Sequence, residues 1–186
     1  MLRGLLKEYI DIHDKYTAIY GPKMVVLMQV GSFYEMYSVV NKKMNVGPDL
    51  HTLSNMVDIS LTRKNKQISE ISEDNALMVG FPMLAFIKYR DRFLDQGYTV
   101  VKMEQVTETP NVDRKVTDIY SPGTTIDYNT HQDTNYLVSL YLGSYATCIN
   151  QRLYSVGLSA IDISTGVNYV SYVESDIKDT DKWSDE

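Results

Sequence analysis

The residues of this chain whose types and spacing could do chemistry lie together at Gly31-Ser32-Phe33-Tyr34-Glu35. A strand-like run, Val25 to Val30, leads into them, and Met36-Tyr37 follows. In an extended segment, residues two apart share a face, so Phe33 and Glu35 point one way and Tyr34 the other, into the domain. A ring beside a carboxylate is suited to wedging between base pairs and accepting a hydrogen bond from a base that has lost its partner. Apolar wedges enter the minor groove, unstack a base step and kink the duplex. The unstacking costs a few kcal/mol, and less where pairing is already faulty. Phosphates disfavour a nearby carboxylate, and an intact base pair offers it no spare Watson–Crick donor, so Glu35 would repel paired DNA and reward a disrupted pair. Taken alone, the pentapeptide also fits an ordinary strand, with Phe33 in the core and Glu35 solvated. Gly31 permits a tight turn or a close backbone approach, and Ser32 offers a donor to DNA or protein backbone.

Several elements must position these residues. Leu2, Leu5, Leu6, Tyr9, Ile10, His13 and Tyr16 recur at helical spacing and predict an amphipathic helix over 2–19, stopped at Gly21-Pro22, with His13 as a packed residue. Residues 24–30 read as a buried strand, 42–48 as a loop and 64–75 as a long exposed loop. Ala76 to Gly80 is a second strand, with Pro82 at the first position of a following helix that Gly97 terminates. Tyr98 to Val106 is a third strand; Asn111 to Lys115 reads as a loop, and Ser121 to Thr124 as a turn. Strand, helix and strand in alternation predict an α/β domain. The composition then shifts. Tyr136 to Leu142, Tyr145 to Ile149, Tyr154 to Ile163 and Val167 to Val173 are β-rich, with Ser164-Thr165-Gly166 as a hairpin loop. A few antiparallel strands without a covering helix cannot bury both faces, so the chain is expected to end within a second domain.

Composition narrows the possible classes. A hydrophobic fraction of 44% supports a packed core in a chain of 186 residues. No apolar run approaches the roughly 20 residues that span a bilayer, and the first residues lack a signal-peptide pattern. The single cysteine, Cys148, excludes an internal disulfide framework and reads as a small core residue of a protein in a reducing, intracellular compartment. His13, His51 and His131 are scattered and form no metal-site spacing. The net charge of −6 does not advertise a nucleic-acid binder, but six acidic residues against two basic ones crowd the stretch from Glu174 to Glu186.

The ordered motifs resemble the N-terminal mismatch-recognition domain of the MutS family. Gly31-Ser32-Phe33-Tyr34-Glu35 is similar to its G-x-F-Y-E signature, with Ser32 where members often carry an acid. Asp58 to Lys64 is similar to its strand ending in L-T-x-[KR], Met78 to Pro82 to M-x-G-[FVI]-P, and Gly97 to Gln105 to G-[YH]-x-V-x-x-x-E-Q. Val112 to Val116 and Ser121 to Thr124 resemble the closing R-x-V and [TS]-P-G-T elements. From Tyr136, and above all at Gly157 to Gly166, the chain resembles the opening of the family's RNase-H-like connector domain.

The resemblance implies a mixed β-sheet flanked by helices over 1–125, a linker over 126–135 and an incomplete connector over 136–186. It implies that Phe33 is the wedge and Glu35 the acceptor, flanked by Gly31 and Ser32. Arg63, Lys64 and Arg114 are implied phosphate contacts, and Lys102 is a further candidate. The implied partner is double-stranded DNA with mismatches or small loops. The chain would be a non-enzymatic piece without a cofactor, part of a longer ATP- and magnesium-dependent dimer with asymmetric DNA contacts that recruits repair proteins through the connector. No G-x-x-x-x-G-K-[ST] phosphate loop occurs in it. Two other readings are weighed. One is a nuclease built on Asp162, but two-metal chemistry needs several convergent carboxylates and Asp162 fits a turn. The other is the structural half of a heterodimer, against which the Phe33–Glu35 pair argues.

Overall fold

The computed structural model describes residues 4–107, 112–125, 136–146 and 152–176. Cys148, His131 and most of the acidic end lie outside the described residues. The chain divides into two compact units, Met1–Thr130 and His131–Glu186.

The first unit is a mixed sheet between helices. Strand β1 (Met24–Val30) pairs antiparallel with β2 (Phe33–Val40) and parallel with β6 (Thr99–Gln105). The sheet runs β4 (Thr62–Arg63), β5 (Leu77–Pro82), β2, β1, β6, β7 (Arg114–Tyr120), with the short β3 (Asn45–Val46) on β2. The apolar run Met24 to Met28 is buried throughout, as expected of a central strand covered on both faces. Helix α1 (Gly4–Tyr20) covers one face through Leu6, Tyr9 and Ile10; Tyr9 meets Tyr37 edge to face at 5.5 Å and donates its hydroxyl to the Val26 carbonyl. Helix α3 (Phe86–Asp95) packs on the other face, where Tyr34 lies 5.1 Å from the Phe86 ring and donates to Glu104 at 2.9 Å.

Three expectations need correction. Pro82 does not open a helix: it is the last residue of β5, and a 3-10 turn (Met83–Ala85) intervenes before α3. Its ring fixes φ at −61° and removes a donor, which suits a strand end as well as a helix start. Arg114 and Lys115 are not in a loop but begin β7, where Gln105 pairs with Arg114 and Glu104 with Lys115. Pairing with β6 overrides their polar local composition. Tyr136 to Leu142 and Tyr145-Ala146 lie in one strand, β8 (Tyr136–Ala146), rather than two, and residues 147–149 of the second expected run lie outside the described residues. Helix α2 (Leu50–Val57) adds an element beyond the expectations. Its signal is Asp49, whose carboxylate accepts from the amides of His51 and Thr52 and from the Thr52 hydroxyl, followed by Leu50, Leu53 and Val57 on one buried face.

Among the described residues, the second unit is a three-stranded antiparallel sheet of β8, β9 (Arg152–Asp162) and β10 (Asn168–Asp176) in the order β10-β9-β8. Its apolar side chains are largely exposed, among them Leu140, Tyr141, Leu142, Val170 and Tyr172. Asp162 is buried and serves the turn into β10, accepting from the Ser164 amide at 3.0 Å and from both the Ser164 and Thr165 hydroxyls at 2.6 Å.

Candidate nucleic-acid interface

The Gly31–Glu35 segment sits at one end of the first sheet. Val30 pairs with Phe33, leaving Gly31 and Ser32 as a two-residue hairpin loop. Gly31 has φ +60° and Ser32 does not enter the positive-φ region, the pattern of a tight turn with glycine at its first central position. Open space surrounds the Gly31 α-carbon, so backbone conformation rather than crowding explains the glycine.

The turn is braced from three directions. The Gln29 amide donates to the Gly31 carbonyl at 3.1 Å while its Oε1 accepts from the Gln105 amide at 3.0 Å. The Ser32 carbonyl accepts from the Met83 amide at 3.0 Å, tying the turn to the 3-10 segment. Arg114 donates through Nε to the Gln29 carbonyl at 2.8 Å and through a terminal nitrogen to Glu8 of α1 at 3.0 Å.

On this rigid end Phe33 is 43% exposed, although its neighbours Tyr34 and Met36 are buried. The strand alternation divides them: Phe33, Glu35 and Tyr37 share one face, and Tyr34 and Met36 the other. α1 covers that first face at Tyr37 through Tyr9. Glu35 is half-buried, and one of its oxygens, Oε2, accepts from the Tyr37 hydroxyl. Its cross-strand neighbour is Gly80, where an added Cβ would stand 3.1 Å from the Glu35 Cγ and 3.2 Å from the Tyr34 carbonyl. Gly80 therefore makes the space that the Glu35 side chain occupies. Near the turn, Leu84 is fully exposed at the 3-10 segment and Ile87 is 61% exposed, so the ring stands at an apolar end of the domain.

The basic residues divide. Arg114 lies at the turn end, but its side chain is only 9% exposed and is held by Glu8 and Gln29, so it braces the turn rather than reaching outward. Lys102 is likewise engaged, 3.0 Å from Glu104 and 3.4 Å from Asp118. Arg63 and Lys64 are not brought to Phe33. Arg63 pairs with Leu77 and Phe33 with Pro82, at opposite ends of β5. Five register steps separate the two levels, roughly 17 Å at the strand rise. Cross-strand neighbours share a face, so Arg63 also lies on the face opposite Phe33, where it lines a cavity of 410 Å³ with His51 of α2. Its buried Nε has no hydrogen-bond partner among the described residues. Lys64 is exposed and starts the loop that the buried Asn75 organises, its side chain accepting from the Asn65 amide and donating to the carbonyls of Ile68 and Glu70.

Sequence reasoning assigned no role at the site to Tyr37, Gly80 or Gln29. Tyr37 had a signal, since it continues the alternation two residues past Glu35. Gly80 stood in the Met78–Pro82 motif, but its role and that of Gln29 become visible only through cross-strand neighbours.

The structure thus defines a mixed α/β domain that displays one aromatic ring and one adjacent carboxylate at a braced hairpin end. Residues 3–129 match the family model described as MutS domain I. The chain is 34% identical over 164 residues to a mutS homolog of Acanthamoeba polyphaga mimivirus, covering 87% of this chain and 14% of that protein. It is 30% identical over 165 residues to the DNA mismatch repair protein MutS of Lactococcus lactis subsp. cremoris, covering 87% and 16%. Against the protein of the same description from Thermus aquaticus it is 28% identical over 170 residues, covering 89% and 17%. The chain belongs to the MutS family, and its first unit is the family's domain I. It spans 14–17% of the length of these relatives.

Proposed function

We propose that the chain recognises mismatched DNA as the leading part of a longer DNA mismatch repair protein. Phe33 enters the minor groove at a weakly stacked step, and Glu35 accepts a hydrogen bond from the base that has lost its partner. Gly31 and Ser32 form the turn that carries the ring to the groove. One observation carries this reading: Phe33 is exposed at the start of a strand whose inner residues Tyr34 and Met36 to Val39 are buried, at a turn braced by Gln29, Ser32 and Arg114. A ring carried on a braced strand end leaves little backbone freedom to lose on insertion, so more of the binding free energy goes into unstacking.

Recognition on this mechanism is a difference in deformation energy between faulty and intact steps. Lys64 is assigned a phosphate contact, which positions the duplex without reading it, and Arg114 is assigned to the turn's support. Arg63 supports the same end of β5 as Lys64. The second unit is read as the opening of the RNase-H-like connector through which repair partners are recruited. ATP and magnesium belong to the longer dimeric protein, and no residue here is assigned to them.

The test compares affinity for two duplexes that differ by one mispair, using the full-length protein. Phe33→Ala and Glu35→Ala each lower the ratio of mismatch to homoduplex affinity. If neither variant changes that ratio, the reading is wrong.

A further inference from the structure

Two residues beyond Glu35, Tyr37 is 5% exposed and donates its hydroxyl to Oε2 of Glu35. The tyrosine is itself fixed. Its ring packs edge to face on Tyr9, whose own hydroxyl is anchored on the Val26 carbonyl. A continuous series of contacts therefore runs from helix α1 and the central strand to a half-buried carboxylate beside the exposed ring. Glu35 Oε1 has no hydrogen-bond partner among the described residues. The absence of a side chain at Gly80 leaves room for the carboxylate's stem. Burial, and then the hydrogen bond to Glu35, push the Tyr37 phenol well above its ordinary range, so it remains a donor at any working pH.

We propose that Tyr37 is the positioning residue for Glu35: its buried hydroxyl holds Oε2, so that Oε1 is presented as the acceptor for a base exposed at the wedged step. An unrestrained glutamate would lose side-chain rotamer freedom on meeting the base. A carboxylate held in advance has already lost it, and its preference for a disrupted pair is correspondingly sharper. The inference rests on the wedge-and-acceptor reading above and names the group that sets the acceptor's direction.

A double-mutant cycle in the full-length protein tests it, with Tyr37→Phe, Glu35→Ala and the pair. Equilibrium affinity is measured for a mismatched duplex and its matched counterpart, and thermal unfolding is measured alongside. Tyr37→Phe keeps the ring that packs on Tyr9. It is expected to lower the mismatch-to-homoduplex ratio about fivefold in the wild-type background and to leave it unchanged in the Glu35→Ala background. Homoduplex affinity stays the same in both. An unchanged ratio in the single variant, or an equal loss in both backgrounds, overturns the positioning role while leaving the wedge intact. If Phe33→Ala and Glu35→Ala leave the ratio untouched, the functional reading fails, and this inference fails with it.

Discussion

At one end of the first sheet, Gly31–Glu35 presents a ring and a carboxylate, with its nearest arginine, Arg114, turned inward onto Gln29 and Glu8. At the other end, beside Leu77 of β5, Arg63 and Lys64 bring positive charge in place of a ring. The two ends are about 17 Å apart along β5, close to the rise of five base pairs, and Arg63 faces the other side of the sheet. The separation implies a division of labour. On the proposed reading, the turn end would decide whether a step is faulty, and the β4 end would contribute affinity that is indifferent to pairing. On that reading a cation beside the wedge would attract intact and disrupted steps alike, and the withdrawal of Arg114 onto Glu8 and Gln29 would keep that contribution away from Phe33 and Glu35.

Variants at the two ends should therefore fail in different ways. The largest effect is expected from Phe33→Ala, which removes about 1–3 kcal/mol of stacking from the mismatched complex and leaves the homoduplex affinity nearly unchanged. Competition binding with both duplexes reads this directly, and an equal loss on both would erase the distinction between the ends. Next is Gly80→Val. Its side chain meets the Glu35 Cγ and the Tyr34 carbonyl, with an expected destabilisation of about 1–3 kcal/mol by denaturant unfolding. Mismatch preference should weaken in the same variant because Glu35 is displaced. Lys64→Ala should lower affinity for matched and mismatched duplexes alike and reduce the slope of log affinity against log salt by about 1. A change in the ratio of the two affinities would place Lys64 in discrimination instead.

The smallest effect serves as a control. Asp49→Ala removes the α2 cap, on an element that contributes nothing to the Gly31–Glu35 turn, and should cost about 1 kcal/mol at neutral pH without altering the affinity ratio. Hydrogen bonds from the Thr52 hydroxyl and amide, and then from the His51 amide, hold the Asp49 carboxyl below its usual range. Its contribution is therefore fully present above the unfolded value of about 3.9 and fades as pH falls from there through the lower folded value. The stability gap between wild type and variant should close over that acidic window, as thermal melts at a series of pH values will show.

Much of the scaffold was legible because its signals are local. The helical spacing from Leu5 to Tyr16, the apolar run of β1 and the glycine after α3 each follow from neighbours in sequence, and α1, β1, α3 and β6 form close to where they were expected. The turn at Gly31 was legible for the same reason. What escaped depends on partners distant in the chain. β7 looks polar until it is laid against β6, and Pro82 reads as a helix start until β2 pairs with it. The site divides along the same line. Phe33 and Glu35 are placed on one face by alternation alone. That Arg63 lies at the far end of β5, that Arg114 is bound to Glu8 and that Gly80 clears space for Glu35 are consequences of register, which no single stretch of sequence encodes.

The most direct test of the wedge is the bend it puts in DNA. Fluorescence energy transfer between dyes at the two ends of a short duplex reports bending on binding by the full-length protein. With the wild type, transfer should rise for a duplex carrying one central mispair and change little for the matched duplex; with Phe33→Ala, the mismatched duplex should stay straight even at protein concentrations that saturate it. If Phe33→Ala bends the mismatched duplex as far as the wild type does, Phe33 is not the wedge.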